Sequence, residues 1–298
     1  MTGAPRSATT TPASRAPSDR AGASSTSGLR RVLALAGVQV RHEVRTYFRA
    51  GDTVFFTFLF PVVMLAIFST AFSASGSYGV RPDGSAVDAA AYYLPGMIAA
   101  GVLLSGVQAL GIDIAVERSD GTLKRLAGTP LPVASYLLGK AGQVLVTGLL
   151  QLVVLLAVAT LVFGVDLPSE PAAWARFAGI WLLGITTTSL LGVALSRLPR
   201  SGRSASAVIV PVTVVLQFIS GVYLPFSQLP GWLQAVASAF PLRWLAQGTR
   251  SVFLPPEFAA GEPGGTWGLG AVVLWLTVWL AAGLVVTRLT FRWIRQDD

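Results

Sequence analysis

The side chains that could do chemistry concentrate in one stretch, residues 117–132. Charged groups of both signs surround Leu123 and Leu126, which lie three residues apart and therefore on one side of a helical turn. Gly121 permits a tight turn before them, and two prolines stiffen the chain after them. A small knob with an apolar and a charged face is suited to docking into a groove on a soluble protein. An ordinary solvated turn is the alternative.

Asp113 is the second candidate, because carboxylates are otherwise nearly lacking from the apolar segments. An ionisable group inside a membrane is a functional candidate, here for a proton relay. Asp113 nevertheless lies only four residues before Glu117, near the predicted membrane surface. A helix cap or a partner for Arg118 is the interpretation that we favour.

Several kinds of chemistry are excluded by the sequence. The chain has no cysteine and a single histidine, His42, so disulfides, thiolate sites and multi-histidine metal centres are impossible. No GxxxxGK[ST], HExxH or GxSxG motif occurs. We therefore expect no catalytic residues, no metal and no nucleotide site in this chain.

The elements that must position these residues are apolar. Hydrophobic residues make up 53% of the 298 residues and charged residues only 12%, too few to cover a soluble globule. Six charge-free windows are each at least 20 residues long, which is enough for a helix to cross the roughly 30 Å hydrocarbon core. The sequence predicts an all-α membrane domain over residues 29–298, with spans at about 54–72, 94–113, 143–163, 177–194, 207–224 and 269–287.

One charge-free window, residues 204–242, is too long for a single span. Proline and glycine interrupt it after Leu224, and Pro230 is placed to begin a short helix. Trp232 and Trp244 are typical of the water–lipid boundary. We expect re-entrant or short helices on the extracellular side between the fifth and sixth spans.

The basic residues predict the orientation. With a cytoplasmic N-terminus, 18 of the 22 basic residues fall in inside segments and four in outside segments. This bias follows the positive-inside rule and places both termini in the cytoplasm. The net charge of +8 then reflects topology and attraction to anionic lipids, and no nucleic-acid partner is needed.

The segment before the first span divides into two parts. Residues 1–28 contain almost no large apolar side chains and are predicted to be a disordered cytoplasmic tail. Residues 29–49 form an amphipathic pattern in which Arg41, Arg45 and Arg49 share one arc. We expect an interfacial helix on the cytoplasmic membrane surface, or a helix packed on a soluble partner.

The middles of the spans offer only threonine, serine and glutamine as polar groups. Such residues more often bond between helices than bind cargo. Thr213, Gln217 and Ser220 on the fifth span are our candidates for lining a path for a lipid-like or aromatic cargo.

Three blocks of the sequence resemble the type-2 ABC transporter permeases, in particular their daunorubicin-type drug-resistance branch. Together the blocks extend the resemblance over residues 30–291. The first is Arg49-Ala50-Gly51-Asp52 with Phe58-Leu59-Phe60-Pro61. The second is Leu94-Pro95-Gly96-Met97, Glu117-Arg118, Gly121-Thr122-Leu123-Lys124-Arg125-Leu126, Thr129-Pro130 and Leu138-Gly139-Lys140. The third is Ser220-Gly221-Val222-Tyr223-Leu224-Pro225, Leu229-Pro230, Trp232-Leu233, Phe240-Pro241-Leu242 and Arg250. Asp120 departs from the pattern, in which the third charged residue at this position is often arginine or glutamate.

The resemblance implies six spans per permease, a dimer of permeases and two copies of a separate ATPase that binds ATP and magnesium. It implies that the amphipathic helix is the family's connecting helix, and that the loop after the second span transmits the ATPase motion. The residues it assigns to coupling are Glu117, Arg118, Gly121, Thr122, Leu123 and Leu126.

The function expected from this resemblance is export of a hydrophobic or amphipathic compound, such as a drug, an antibiotic or a lipid-like molecule. The setting is the plasma membrane, and the codon bias suggested by the arginine-rich composition points to a high-G+C bacterium. Export of a polysaccharide or lipid-linked glycan, an ion-gradient-coupled transporter, and a membrane enzyme or scaffold are the alternatives.

Overall fold

The computed structural model describes residues 21–73, 78–80, 84 and 86–290. Most of the predicted disordered tail, residues 1–20, lies outside the described residues. The first helix begins at Ala21 instead of near residue 29. Within the described part every regular element is helical, and only one isolated antiparallel bridge joins Val80 to Ala86.

The α-helices follow one another along the chain and are joined by short connections. They are α1 (Ala21–Arg49), α2 (Gly51–Phe72), α3 (Ala89–Leu103), α4 (Leu110–Ser119), α5 (Thr122–Ala127), α6 (Val133–Leu161), α7 (Pro171–Leu195), α8 (Gly202–Ile219), α9 (Gly231–Ser238), α10 (Pro241–Phe253) and α11 (Leu269–Thr290). A π-helical turn, Leu104–Ala109, joins α3 to α4 without a break.

Among the described residues, six helical segments are long and apolar enough to cross a membrane, which confirms the six predicted spans. They are Thr53–Phe72, Ala89–Ser119, Val133–Leu161, Pro171–Leu195, Gly202–Ile219 and Leu269–Leu289. The third span begins ten residues before the predicted start at residue 143. The helix extends toward its N-terminus beyond Lys140, because the charge of Lys140 is paired inside the protein.

Helix α1 packs against α6 of the same chain. Ala36 and Glu43 are buried on the packed side, and Ser135 Oγ of α6 donates a hydrogen bond of 3.0 Å to the Val32 carbonyl. The predicted arginine arc lies on the opposite, exposed side of the helix. The predicted amphipathic helix is therefore present, and the third span covers part of its apolar face, while Leu29 and Leu33 remain exposed.

The second span changes from α to π geometry in its middle, beside α7. A π turn inserts one residue into the helix and often occurs at functional sites. At this level Gly106 and Gly192 allow the backbones of the two spans to touch. A Cβ atom at Gly192 would overlap the carbonyl oxygen of Gly106.

Gly192→Leu is expected to force the second and fourth spans apart and to lower the free energy of unfolding by at least about 1–3 kcal/mol, because added volume meets backbone that cannot move aside. The measurement is an SDS titration of the purified protein followed by tryptophan fluorescence. Gly179→Leu on the same helix is the control, since a Cβ there meets nothing within 4 Å. Equal effects of the two variants would contradict the close approach.

Short helices occupy the connection between the fifth and sixth spans, as the sequence predicts. A 3₁₀ turn over Phe226–Gln228 precedes α9 and α10, and a second 3₁₀ turn over Pro256–Gly261 follows them. Every residue of α10 except Trp244 is buried, and the helix packs between α3, α7 and α11. This connection is therefore a packed part of the helix bundle.

Candidate functional site

Helix α5 forms a compact knob directly after the second span. Gly121 adopts a left-handed conformation with φ of 81°, which a residue with a Cβ would adopt only with strain. The Thr122 amide donates to Asp120 Oδ1 at 2.8 Å, and Arg125 donates to Thr122 Oγ1 at 2.8 Å. Slight burial would raise the pKa of Asp120, but the hydrogen bonds from Thr122 and the charge of Arg125 outweigh it and lower that pKa.

The two leucines of the knob have different surroundings. Leu123 is only 3% exposed and is packed within the chain, whereas Leu126 is half-buried. Lys124 and Arg125 are exposed. The accessible face of α5 is therefore basic, and Leu123 anchors the knob instead of offering its side chain to a partner.

Arg118 fixes the end of the second span to the connection between α7 and α8. Its Nη2 atom donates to the carbonyls of Ser196 at 2.5 Å and Pro199 at 3.0 Å. The Gly202 amide donates to Ser119 Oγ at 2.9 Å. These contacts show that the α7–α8 connection and α5 lie at the same end of the molecule.

A buried ion cluster lies where α1, α4 and α6 meet. Lys140 Nζ donates to Glu43 at 2.7 Å, to Glu117 at 2.6 Å and to Asp113, and its side chain is 1% exposed. The Tyr136 hydroxyl donates to the second oxygen of Glu117 at 2.5 Å. We call these five residues the lysine cluster. One ammonium thus holds together α1, the second span and the third span.

The lysine cluster changes the interpretation of two predicted residues. The sequence favours a helix cap or a partner for Arg118 as the role of Asp113, but the structure bonds Asp113 to Lys140. Glu117 is predicted to dock a partner, but it is bonded to Lys140 and Tyr136. Sequence reasoning missed Lys140, although its position directly before a charge-free window was a signal that it belongs to a helix.

The three carboxylates of the lysine cluster also have the spacing of metal ligands, since one oxygen from each lies within 4.8 Å of the others. The Lys140 ammonium is bonded to all three of them. The cation that these carboxylates bind in the structure is therefore the Lys140 side chain.

A cavity of about 590 Å³ opens beside the lysine cluster, between α1, α2, α8 and the part of the second span that is formed by the π turn and α4. Gln217 lies on its wall. Of the other predicted cargo contacts, Thr213 is buried and donates to Gln108 Oε1 at 2.7 Å, and Ser220 is fully buried away from the cavity wall. The wall residue Gln108, which the sequence analysis did not select, lies on the π turn.

Six apolar spans, a large cavity beside them and a basic knob at one end define a multi-pass membrane protein with the parts of a transport subunit. The sequence profile of the ABC-2 type transporter family matches residues 36–254. The chain belongs to this family, and the family in general implies a partner ABC ATPase.

The relatives carry names of the same kind. YvfS of Bacillus subtilis, named as a transport permease, is 24% identical over 200 residues, which are 67% of this chain and 77% of YvfS. YbhR of Escherichia coli K12, named as a multidrug ABC transporter permease, is 23% identical over 163 residues, 55% of this chain and 44% of YbhR. Heme exporter protein B of Paracoccus denitrificans is 33% identical over 142 residues, 46% of this chain and 62% of that protein.

Proposed function

We propose that the chain is the membrane subunit of an ATP-driven exporter that moves a hydrophobic or amphipathic compound out of the cell. The observation that carries this proposal is the continuity between knob and cavity. Helix α4 ends at the knob, and its residues Asp113 and Val116 line the cavity. A force applied to α5 would therefore reach the cavity wall through one short, rigid helix.

The lysine cluster supports the same mechanism. Because Lys140 bonds to residues of α1 and α4, the interfacial helix and the end of the second span would move together. A partner that contacts both α1 and α5 would thus move α1 and the end of the second span as one rigid unit. In our proposal this partner is an ATPase, present in two copies, which binds ATP and magnesium while the permease needs no cofactor.

A second copy of the chain would complete the transport path. Helices α2 and α8 flank the cavity and carry large exposed apolar side chains, among them Phe55, Phe56, Val215 and Phe218. Pairing two copies through these helices would bring two cavities face to face. We propose a homodimer in the plasma membrane, with both termini and α5 in the cytoplasm and the arginines of α1 near anionic lipid heads or the ATPase.

The docking role of α5 is tested by reversing its exposed charges. Lys124→Glu combined with Arg125→Glu is expected to reduce co-purification of the co-expressed ATPase at least about tenfold, because opposite charges at an interface would become like charges. Nucleotide-dependent export from vesicles is expected to fall in parallel. The same variant keeps Leu123 and the lysine cluster intact.

Arg200→Glu is the matched control, since Arg200 is exposed in the α7–α8 connection at the same end of the molecule. It makes the same type of charge change and should leave co-purification intact. Full ATPase binding by the α5 variant would overturn the docking role. Export that runs on an ion gradient without any nucleotide would overturn the ATP-driven function itself.

A further inference from the structure

The cavity wall carries charge of only one sign. Among the described residues that line it, Glu43 and Asp113 are the ionisable acidic groups, and none is lysine, arginine or histidine. The side chain of Asp113 is 48% exposed, whereas that of Glu43 is 7% exposed. Asp113 is thus the carboxylate that a molecule in the cavity can reach.

The lysine cluster does not balance this charge. Lys140 is a single positive charge bonded to three carboxylates, and among the described residues the neutral side chains of Gln39 and Tyr136 also donate to these groups. With all three carboxylates ionised, the lysine cluster carries two more negative charges than positive ones, and it borders the cavity through Glu43 and Asp113. A second cation beside these two carboxylates is therefore electrostatically favoured.

The rest of the wall suits an apolar body with a polar end. Its aromatic and aliphatic part includes Phe56, Phe60, Leu104, Val210 and Val214. The amides of Gln108 and Gln143 supply neutral hydrogen-bonding groups, whereas the amide of Gln217 is bonded to the Thr213 carbonyl and the Tyr223 hydroxyl. The volume of about 590 Å³ lies in the range of pockets for drug-sized molecules, about 300–1,000 Å³.

We propose that this cavity selects amphiphiles with a cationic head and rejects anionic ones, and that Asp113 is the residue that binds the head. The proposal rests on the proposed function, whose cargo class it narrows. The cargo cation approaches the exposed side of Asp113, while Lys140 keeps its bonds to Glu43 and Glu117. The apolar body then lies against the side chains of α2 and α8.

Two hydrophobic ions of nearly equal size and opposite charge test this selectivity. Binding of radiolabelled tetraphenylphosphonium and tetraphenylborate is measured by equilibrium dialysis on the purified full-length permease in detergent. The wild type is expected to bind the cation more tightly than the anion. Asp113→Asn is expected to weaken cation binding about tenfold, which corresponds to about 1.4 kcal/mol, and to leave anion binding unchanged or stronger.

Asp113→Glu, which keeps the charge, is expected to retain cation binding. Glu170→Gln removes one exposed negative charge at the start of α7, outside the cavity wall, and should have no effect. Folding of Asp113→Asn is checked by its SDS titration, and Lys140 still has two carboxylates in that variant. Equal affinity for the two ions, or unchanged cation binding by Asp113→Asn, would overturn the proposal.

This binding assay contains no ATPase, so its outcome is independent of whether the permease is driven by ATP. Loss of charge selectivity with intact nucleotide-dependent export would refute only the cargo class. Charge-selective binding without any nucleotide-dependent export would refute the proposed function and leave the binding site in place.

Discussion

Lys140→Met is expected to lower the free energy of unfolding of the purified permease by about 3–5 kcal/mol, because it leaves buried carboxylates without their counter-ion. Glu43 would be affected most, since its side chain is only 7% exposed and it also accepts a hydrogen bond from the neutral amide of Gln39. The contact between α1 and α6 should loosen at the same time. The measurement is an SDS titration followed by the fluorescence of the eight tryptophans.

Lys124→Met is the control, because Lys124 is the only other lysine in the chain and is exposed on α5. It should change the unfolding free energy by no more than about 0.5 kcal/mol. Adding Glu43→Gln to Lys140→Met should restore part of the loss, and acidic pH should reduce the loss, since protonated carboxylates need no counter-ion. Equal stability of the two lysine variants would show that the lysine cluster does not hold the helices together.

Glu262→Gln is expected to destabilise the opposite part of the bundle by about 3 kcal/mol, because two buried guanidinium groups would lose the carboxylate that they share. Glu262 accepts from Arg250 Nε at 2.6 Å and lies 3.9 Å from Arg243 Nη2. Burial lowers the pKa of Arg243 to about 10, and Glu262 opposes this effect. Arg250 also donates to the Gly221 carbonyl at 3.0 Å, so the end of the fifth span should loosen as well.

The matched control for this second variant is Glu257→Gln. Glu257 lies in the 3₁₀ turn just before Glu262 and is exposed, and its removal is expected to cost almost nothing. Stacking on Phe226 and Trp244, at 4.7 and 4.1 Å from the Arg243 guanidinium carbon, remains in both variants. Similar unfolding curves for the two glutamate variants would mean that this stacking alone stabilises the buried arginines.

The six spans could be predicted from the sequence because lipid imposes a simple rule on composition: charge-free stretches of at least 20 residues must be buried in hydrocarbon. The knob could be located for a similar reason, since Gly121, Pro130 and Pro132 mark turns by their own backbone preferences. The arginine arc of α1 follows from helical periodicity alone. All three inferences use only residues that are close to one another in the sequence.

The lysine cluster could not be predicted in this way, since its partners come from three helices and Glu43 lies 97 positions before Lys140. Counting charges places Lys140 in the loop before the third span, because a prediction of spans from composition takes no account of which charges are paired. Arg243 and Arg250 are two of the four basic residues that the charge count places in outside segments, and the sequence does not indicate that both are buried in the protein. The sequence suggests that Leu123 is exposed on a helical turn and can contact a partner, whereas in the fold its side chain is buried.

The π turn at Leu104–Ala109 also sets the angular phase of everything that follows it in the second span. If the same residues formed a regular α-helix without the π turn, the rest of the span would be rotated by about 100° relative to what precedes it, which is the advance of one residue. Asp113 and Glu117 would then no longer point at Lys140. The extra residue that the π turn takes up therefore decides where these two carboxylates lie, and a loss of the π geometry would have to be compensated by the loss of one residue before Asp113.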